Sequence, residues 1–510
     1  MPMWKKIQKT AQHSQTLRIA DLIEDKTRYD RLCIQEPGIF ADFSKTSVTH
    51  EALDLLLQLA EEKGIEKERA RMFSGDAINI SENRAVLHTA CRASEDAPQE
   101  IRLTLAQMRS FAHAVRSGDH RGFSGKAITD IVTIGIGGST LGPSAVCTAL
   151  KHLHAKNLNI HFVSNVEASA LHDTLSRISL ESTLFIISSK SFTTPETMLN
   201  AIIARQCVID HFGNSKSVEK HFVALSTNLS AVTEFGIAPE NMFSFRDYVG
   251  GRFSGWSAIG LPIMLMIGPV HFDAWLAGAR YMDEHFKSAP LSKNLPVMMA
   301  LIGIWHRNFC GYPAYAFVPY HSALSRLPAW LQQVDMESNG KSVTRNGQKT
   351  DINTGPIVFG EPGTDAQHSF FQWIHQSADI VPVDFIGVIK TPFGDKAQHN
   401  MLLAHLLAQS RALMTGQENK TEIHRHFEGN KPSITILLDE LSPYTLGMLM
   451  AAYEHKIYVQ GIIWDINSFD QFGVELGKTV AKKIEEDLLS DSSAYDISTN
   501  SLMKHIKEKS

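Results

Sequence analysis

Cysteine is scarce in this chain: Cys33, Cys91, Cys147, Cys207 and Cys310 are scattered over 510 residues with no close pair. That spacing excludes a disulfide framework and a cysteine-built zinc site, and it points to a reducing, cytoplasmic compartment. A charge excess of one sign is missing too. The 49 Lys and Arg against 54 Asp and Glu leave a net charge of −5. So small an imbalance gives no sign of a nucleic-acid-binding face or a polybasic membrane anchor. Gly (33) and Pro (19) make up about a tenth of the chain, which excludes collagen-like sequence and most low-complexity sequence. The first residues, MPMWKKIQKT, hold no apolar signal core. One uncharged stretch, Phe253 to Phe272, is long enough to raise the question of a membrane span. It is broken by Gly and Pro and reads as a buried helix with its entry loop. Neither nucleic acid nor membrane is expected as a partner.

What is present is a globular composition, 43% hydrophobic and 20% charged, in a chain too long for one ordinary core. Residues 1–120 read as mainly helical, with Leu105, Met108, Ala112 and Val115 recurring at helical spacing. From Gly122 onward, short runs that are apolar almost throughout alternate with helical stretches: Ile131–Ile136, Ile160–Ser164, Leu184–Ser188 and Phe222–Ser226. Buried parallel strands with crossover helices have this pattern. A second alternation follows, with strand candidates Tyr315–Val318, Ile357–Phe359, Val381–Ile389 and Ile434–Leu438. The expected organisation is therefore an α/β fold in three segments. Residues 1–120 form helices packed on the larger unit, 121–270 a smaller α/β unit, and 271–510 a larger one with C-terminal helices.

Two strand-to-helix junctions in the smaller unit suit an anion. In Ile134-Gly-Ile-Gly-Gly-Ser-Thr-Leu-Gly-Pro143 the glycines permit close approach, Ser139 adds a donor, and Pro143 suits a helical first turn. A dinucleotide fingerprint is incomplete, because Thr140 stands where its last glycine would be. By itself such a turn serves packing as readily as ligand binding. The second junction, Ser188-Ser-Lys-Ser-Phe-Thr-Thr-Pro-Glu-Thr197, places the hydroxyls of Ser189, Ser191, Thr193, Thr194 and Thr197 beside Lys190. Thr194 is a candidate N-cap and Pro195 a first helical residue. Capping needs one or two hydroxyls, whereas a phosphate at a helix N-terminus could use several.

Read with Gly250-Gly-Arg-Phe-Ser-Gly-Trp-Ser-Ala-Ile-Gly260, these loops resemble the glucose-6-phosphate isomerase (phosphoglucose isomerase) family. Further matching motifs are Glu82-Asn-Arg-Ala-Val-Leu-His88, Asp335-Met-Glu-Ser-Asn-Gly-Lys341, Gly363-Thr-Asp-Ala-Gln-His368 and Phe469-Asp-Gln-Phe-Gly-Val-Glu-Leu-Gly-Lys478. They run in family order from about Met72 to Lys478. The resemblance implies two αβα sandwich subdomains of the sugar-isomerase (SIS) type, with parallel or mostly parallel sheets and additional packed helices. It implies reversible conversion of glucose 6-phosphate to fructose 6-phosphate in glycolysis and gluconeogenesis, with no metal or organic cofactor. It also implies a homodimer whose active sites are shared across the interface.

By the same resemblance, phosphate is held by Ser189, Lys190, Ser191, Thr194 and Thr197, with Ser139 nearby. Ser191 stands where Thr is usual, and the hydroxyl survives. Glu337 maps to the base and acid that moves a proton between C2 and C1 through a cis-enediol(ate). Arg252 maps beside the developing oxyanion, where a permanently charged guanidinium suits the task. Gln333 and Gln471 map to sugar contacts, and His368 and Lys478 to the ring-opening pair. Ala366 replaces the family's usual Gly, so this loop must do without the backbone angles open to glycine. His88 reads as packed or hydrogen-bonded within a helix-like run. His424 and His426 carry no supporting metal ligands, and Lys482, Lys483, Glu485, Glu486 and Asp487 read as a solvated helical face. Two other classes compete. A regulatory sugar-phosphate binder would not need Glu337, His368, Lys478 and Arg252 together, and a nicotinamide-dependent dehydrogenase would rest on Gly135 to Gly138 alone.

Overall fold

The computed structural model describes residues 2–490 and 494–510. Contacts divide the chain after Ser468 into a large unit and a short C-terminal one. In the large unit, β3 (Asp130–Gly135), β4 (Asn159–Val163), β5 (Thr183–Ser188), β6 (Phe222–Leu225) and β7 (Met242–Phe243) form a parallel sheet in the order β4-β3-β5-β6-β7. A mostly parallel second sheet has the order β1-β2-β11-β10-β8-β9. Its strands are β1 (Cys33–Glu36), β2 (Ile39–Asp42), β8 (Ala314–Pro319), β9 (Ile357–Phe359), β10 (Val383–Lys390) and β11 (Ser433–Glu440). The α/β architecture with mostly parallel sheets flanked by helices is as expected.

The apolar runs became central strands because both sheet faces are covered. Every residue of β5 is buried. Val132, Ile134, Phe185, Ile187 and Phe222 pack against Ala201, Ala204 and Val208 of the helix Pro195–Phe212. In the second sheet Val318, Val383 and Phe385 meet Leu406 of the helix Lys396–Thr415 and Phe371 of Phe371–Gln376. Burying each such side chain fully contributes roughly 1.5–3 kcal/mol.

Residues 1–120 are not all helical, because β1 and β2 form an antiparallel hairpin that joins β11 at the edge of the second sheet. Four-residue strands around a Pro37-Gly38 turn are too short to show a clear period. The stretch from Phe253 to Phe272 is a pair of short turns, Gly251–Trp256 and Ala258–Gly260, followed by the buried helix Leu261–Ile267 and the start of Pro269–Ser288. Among the described residues no helix is long and apolar enough to cross a membrane.

Register positions the ligand-binding end. Gly135 pairs with Ser188, so β3 and β5 finish side by side. From β3 the chain goes to β4 on one side, while β5 lies on the other. The crevice beyond the carboxyl ends of strands at such a switch point is where open α/β sheets bind ligands.

Pro443–Trp464, capped by a reciprocal Ser442–Thr445 box, is buried at every residue except Tyr444. At its middle it carries Tyr453, Glu454, His455 and Lys456. The C-terminal unit holds the helices Gly473–Leu488 and Ile497–Lys509. Tyr495 there donates to Asp487 Oδ2 at 2.6 Å, and Lys482, Lys483, Glu485 and Glu486 are exposed.

Candidate active site

The loop after β5 leads into the helix Pro195–Phe212, with Thr194 at the N-cap position. The Thr194 hydroxyl makes no capping bond and pairs instead with Ser189 Oγ at 3.1 Å. Ser191 and Thr193 pair at 2.7 Å. Thr197 is buried one turn into the helix, and its Oγ1 meets no partner among the described residues. Lys190 Nζ donates to the Asp247 carbonyl at 3.2 Å and lies 3.1 Å from its carboxylate. Ser226 and Thr227 both donate to the Lys190 carbonyl, which latches the loop to the neighbouring strand end. Phe192 takes a positive φ of 56°, unfavourable for an aromatic residue, while its ring is buried edge-on to Phe235. An uncapped helix N-terminus, a cluster of hydroxyls and a buried orphan hydroxyl together suit a phosphate.

The glycine loop after β3 approaches from the side. Gly137 has φ +59°, and a Cβ on Gly138 would lie 2.2 Å from the Gly251 carbonyl oxygen. Only glycine lets this loop press against the backbone of Gly251 and Arg252. Because the helix begins at Gly138, Pro143 lies in its interior, not in the first turn as its position suggested. Ser139 is therefore the first-turn residue, half-buried. The Gln333 amide nitrogen would lie 3.1 Å from a Cβ on Gly137, and Gln333 Oε1 is buried without a partner among the described residues.

Glu337 ends a π-helical segment, Gln332–Glu337, that continues the helix Leu327–Leu331. Single π-turns recur at functional sites. Glu337 Oε2 lies 3.8 Å from Arg252 Nη1, with the arginine side chain 2% and the glutamate side chain 19% exposed. The guanidinium is aimed by Nε donating to Ser338 Oγ at 2.7 Å and Nη2 to the Ser468 carbonyl at 2.6 Å. Behind it, Trp256 Nε1 donates to Glu454 at 2.8 Å, and Arg92 bridges Glu454 and Asp283 at 2.6–2.7 Å. Burial raises the Glu454 carboxyl above its ordinary range, and Arg92 and Trp256 oppose that shift. His88 sits in a short tight turn, His88–Arg92, not in an α-helix. Its ring stacks on Phe253 at 4.8 Å, and neither ring nitrogen is hydrogen-bonded among the described residues. Burial holds it well below its ordinary pKa.

His368 follows the short helix Gly363–Gln367 and is exposed, while Ala366 is buried inside that helix with ordinary helical angles and needs no glycine. Gln471 and Lys478 belong to the C-terminal unit, Lys478 on the exposed helix Gly473–Leu488. His424 lies in the short surface turn Ile423–Arg425 and His426 follows it, and among the described residues no three His, Cys, Asp or Glu converge as a metal site. Sequence reasoning missed Ser338, Ser468, Glu454 and Asp335. A signal existed for Glu454: three consecutive polar residues, Glu454-His-Lys456, interrupt an otherwise apolar helix.

Comparison with known proteins adds a second line of support. A family model described as phosphoglucose isomerase matches residues 42–503. Glucose-6-phosphate isomerase 1 of Chromohalobacter salexigens is 46% identical, with 99% of this chain and 94% of that protein covered. The protein of the same name from Neisseria meningitidis serogroup A is also 46% identical, over 99% of this chain and 97% of its own. Among solved structures, a glucose-6-phosphate isomerase from Chlamydia trachomatis superposes with a TM-score of 0.89 at 32% identity, covering 100% of this chain and 99% of that one.

Proposed function

The chain belongs to the phosphoglucose isomerase family, and from that premise we propose that it interconverts D-glucose 6-phosphate and D-fructose 6-phosphate. The observation that carries this reading is the approach of the Arg252 guanidinium to the Glu337 carboxylate at 3.8 Å, within the same large unit as the hydroxyl-rich loop. Ser189, Lys190, Ser191, Thr194 and Thr197 hold the phosphate, with Ser139 beside them and Gln333 and Gln471 on the sugar hydroxyls. His368 and Lys478 move the protons of ring opening. Glu337 then takes the C2 proton, and the electron pair forms a cis-enediolate whose oxygen faces Arg252. A proton then passes from O2 to O1, and as Glu337 returns its proton to C1 the C1–C2 double bond becomes the C2 carbonyl, which leaves a hydroxyl at C1. The reaction is an internal redox exchange between two carbons, so it calls for no cofactor.

The same reading assigns the enzyme to glycolysis and gluconeogenesis in the cytoplasm. It also makes the protein a homodimer in which His368 serves the partner's site. Purified protein should convert fructose 6-phosphate to glucose 6-phosphate in a coupled assay, with label exchange at C1 and C2. Ligand binding by folded protein without turnover would favour a regulatory binder instead. Shared sites are tested by mixing Glu337→Gln subunits with His368→Ala subunits. Random mixing makes half the dimers hybrid, each with one intact site, so activity should recover to about a quarter of wild type. Hybrids verified by native mass spectrometry that show only parental activity would overturn the sharing.

A further inference from the structure

The helix that carries Glu337 has a second face, and the isomerisation chemistry assigns it no task. Side chains two apart on a helix do not face each other. While Glu337 meets Arg252, Asp335 is turned inward and fully buried. Its Oδ2 accepts a hydrogen bond from Tyr315 Oη at 2.8 Å and one from Lys456 Nζ at 3.4 Å. Lys456 Nζ also lies 4.1 Å from the centre of the Tyr315 ring. Tyr315 belongs to β8 and Lys456 to the buried helix Pro443–Trp464, so the triad ties the π-segment to the sheet and to the central helix together. A second carboxylate, Asp384 on β10, accepts from Tyr453 at 2.9 Å.

Packing alone does not account for this arrangement. Apolar residues of similar volume usually replace a buried ion pair without loss of stability. Here Asp335 Oδ1 meets no donor among the described residues, an expense that an apolar side chain would avoid. A cavity of about 30 Å³ lined by His306, Tyr315, Asp384, Lys456 and Gln460 adjoins the cluster, so the charges do not fill a tight core. What the triad supplies is direction. Two donors from different elements fix one carboxylate oxygen, and with it the rotation and depth of a helical segment whose π geometry is not the one its local sequence favours.

We infer that Asp335 is a positioning residue for Glu337: held by Tyr315 and Lys456, it sets the π-segment so that the carboxylate two residues later presents to the sugar. This rests on Glu337 being the base. A general base must lie within hydrogen-bond reach of its proton, and a displacement of about 1 Å can cost on the order of 100-fold in rate. The phosphate loop lies on other strands and is left untouched.

The test compares Asp335→Asn and Tyr315→Phe with wild type, counting competent sites by titration with 6-phosphogluconate, which carries the phosphate but cannot isomerise. Tyr315→Phe removes only the hydroxyl donor and keeps the variant set informative if Asp335→Asn fails to fold. Expected is a kcat per titrated site lowered about 10–100-fold in Asp335→Asn and about 3–10-fold in Tyr315→Phe, with KM within about twofold. The fraction of C2 label delivered to C1 should fall relative to the fraction lost to solvent. A kcat per titrated site within twofold of wild type in the folded variants, a loss confined to KM, or a loss matched by missing titratable sites would overturn the positioning role. Glu337→Gln run alongside separates the two readings. Retained turnover there removes the base assignment whatever Asp335 does, whereas lost turnover there with unaffected Asp335 and Tyr315 variants removes only the positioning role.

Discussion

The hydroxyl loop and the Glu337 segment are held in place by opposite means. The loop's hydroxyls pair with near neighbours, Ser189 with Thr194 and Ser191 with Thr193, and only its Lys190 carbonyl is latched from the adjacent strand end, by Ser226 and Thr227. Its groups are largely neutral and partly open to solvent. Around Glu337, the partners come from far along the chain. Ser338 is met by Arg252, Asp335 by Tyr315 and Lys456, and Asn339 by the Ile457 carbonyl and Ser468. Those groups are buried, and Arg252, Asp335 and Lys456 among them are charged. An anion needs several donors on a forgiving surface, whereas a proton in flight needs one carboxylate at one place. Local sequence can build the first, and only long-range packing can hold the second.

The largest test of that contrast is Glu337→Gln. Turnover should fall about 1000-fold while affinity for the phosphorylated sugar stays within about tenfold, because the lost group acts mainly in the transition state. A coupled assay with parallel ligand binding checks it. Near-wild-type turnover would remove Glu337 as the base.

Next in size is Thr197→Val on the loop side. Thr197 Oγ1 has no partner within the described residues, so its removal should cost the fold little. A hydrogen bond to a charged ligand contributes about 1.5–3 kcal/mol, so affinity for fructose 6-phosphate should fall roughly 10–100-fold. Calorimetry beside a thermal melt gives both numbers. Equal loss of affinity and stability would mean that Thr197 is structural and that the loop is less open than described.

These two outcomes bear on how much could be read from sequence. The strands at Asp130–Gly135 and Thr183–Ser188 were visible as apolar runs, and the Thr194–Pro195 helix start and its hydroxyls were visible as local chemistry. Glu337 and Arg252 stood out only through family motifs, since neither has a local pattern that separates it from a surface glutamate or a buried arginine. The π-turn was not legible, because its geometry is set by partners such as Lys456, 121 positions away from Asp335. Pro143 was misplaced for a related reason. A helix that starts at Gly138, straight after a positive-φ glycine at the cap position, carries its proline deeper than turn chemistry alone suggests.

Acid should separate the two regions further. His306 lines the cavity with Lys456 and Asp384, and burial, with Lys456 adding to it, pushes its pKa down to about 3. The folded form stays neutral while the unfolded chain binds a proton below about 6.5. Stability from this group is therefore present above pH 6.5 and lost as pH falls toward 3. Asp384 acts oppositely: burial raises its pKa to about 6, so its contribution is lost as pH rises from 3.8 to 6. His306→Gln removes the first effect alone. Between pH 7 and 4.5 wild type should lose on the order of 1–3 kcal/mol more than the variant in urea unfolding. Identical pH slopes would show that His306 is not held neutral by its surroundings.

The smallest expected effect, on Thr194, decides what the loop hydroxyls are for. At an ordinary N-cap, Thr→Ala costs about 0.5–2 kcal/mol because the side-chain oxygen satisfies a free backbone N–H. Thr194 occupies the cap position without making that bond, and its hydroxyl turns to Ser189 instead. Thr194→Ala should therefore cost less than about 0.5 kcal/mol of stability, below the capping range. Affinity for fructose 6-phosphate should still fall, because a hydroxyl not spent on capping is free to donate to the ligand in wild type and is missing in the variant. A stability loss of about 1 kcal/mol or more without any change in affinity would reverse the assignment. The helix start would then be a capped structural element, and the ligand's donors would have to come from Thr197 and the glycine loop.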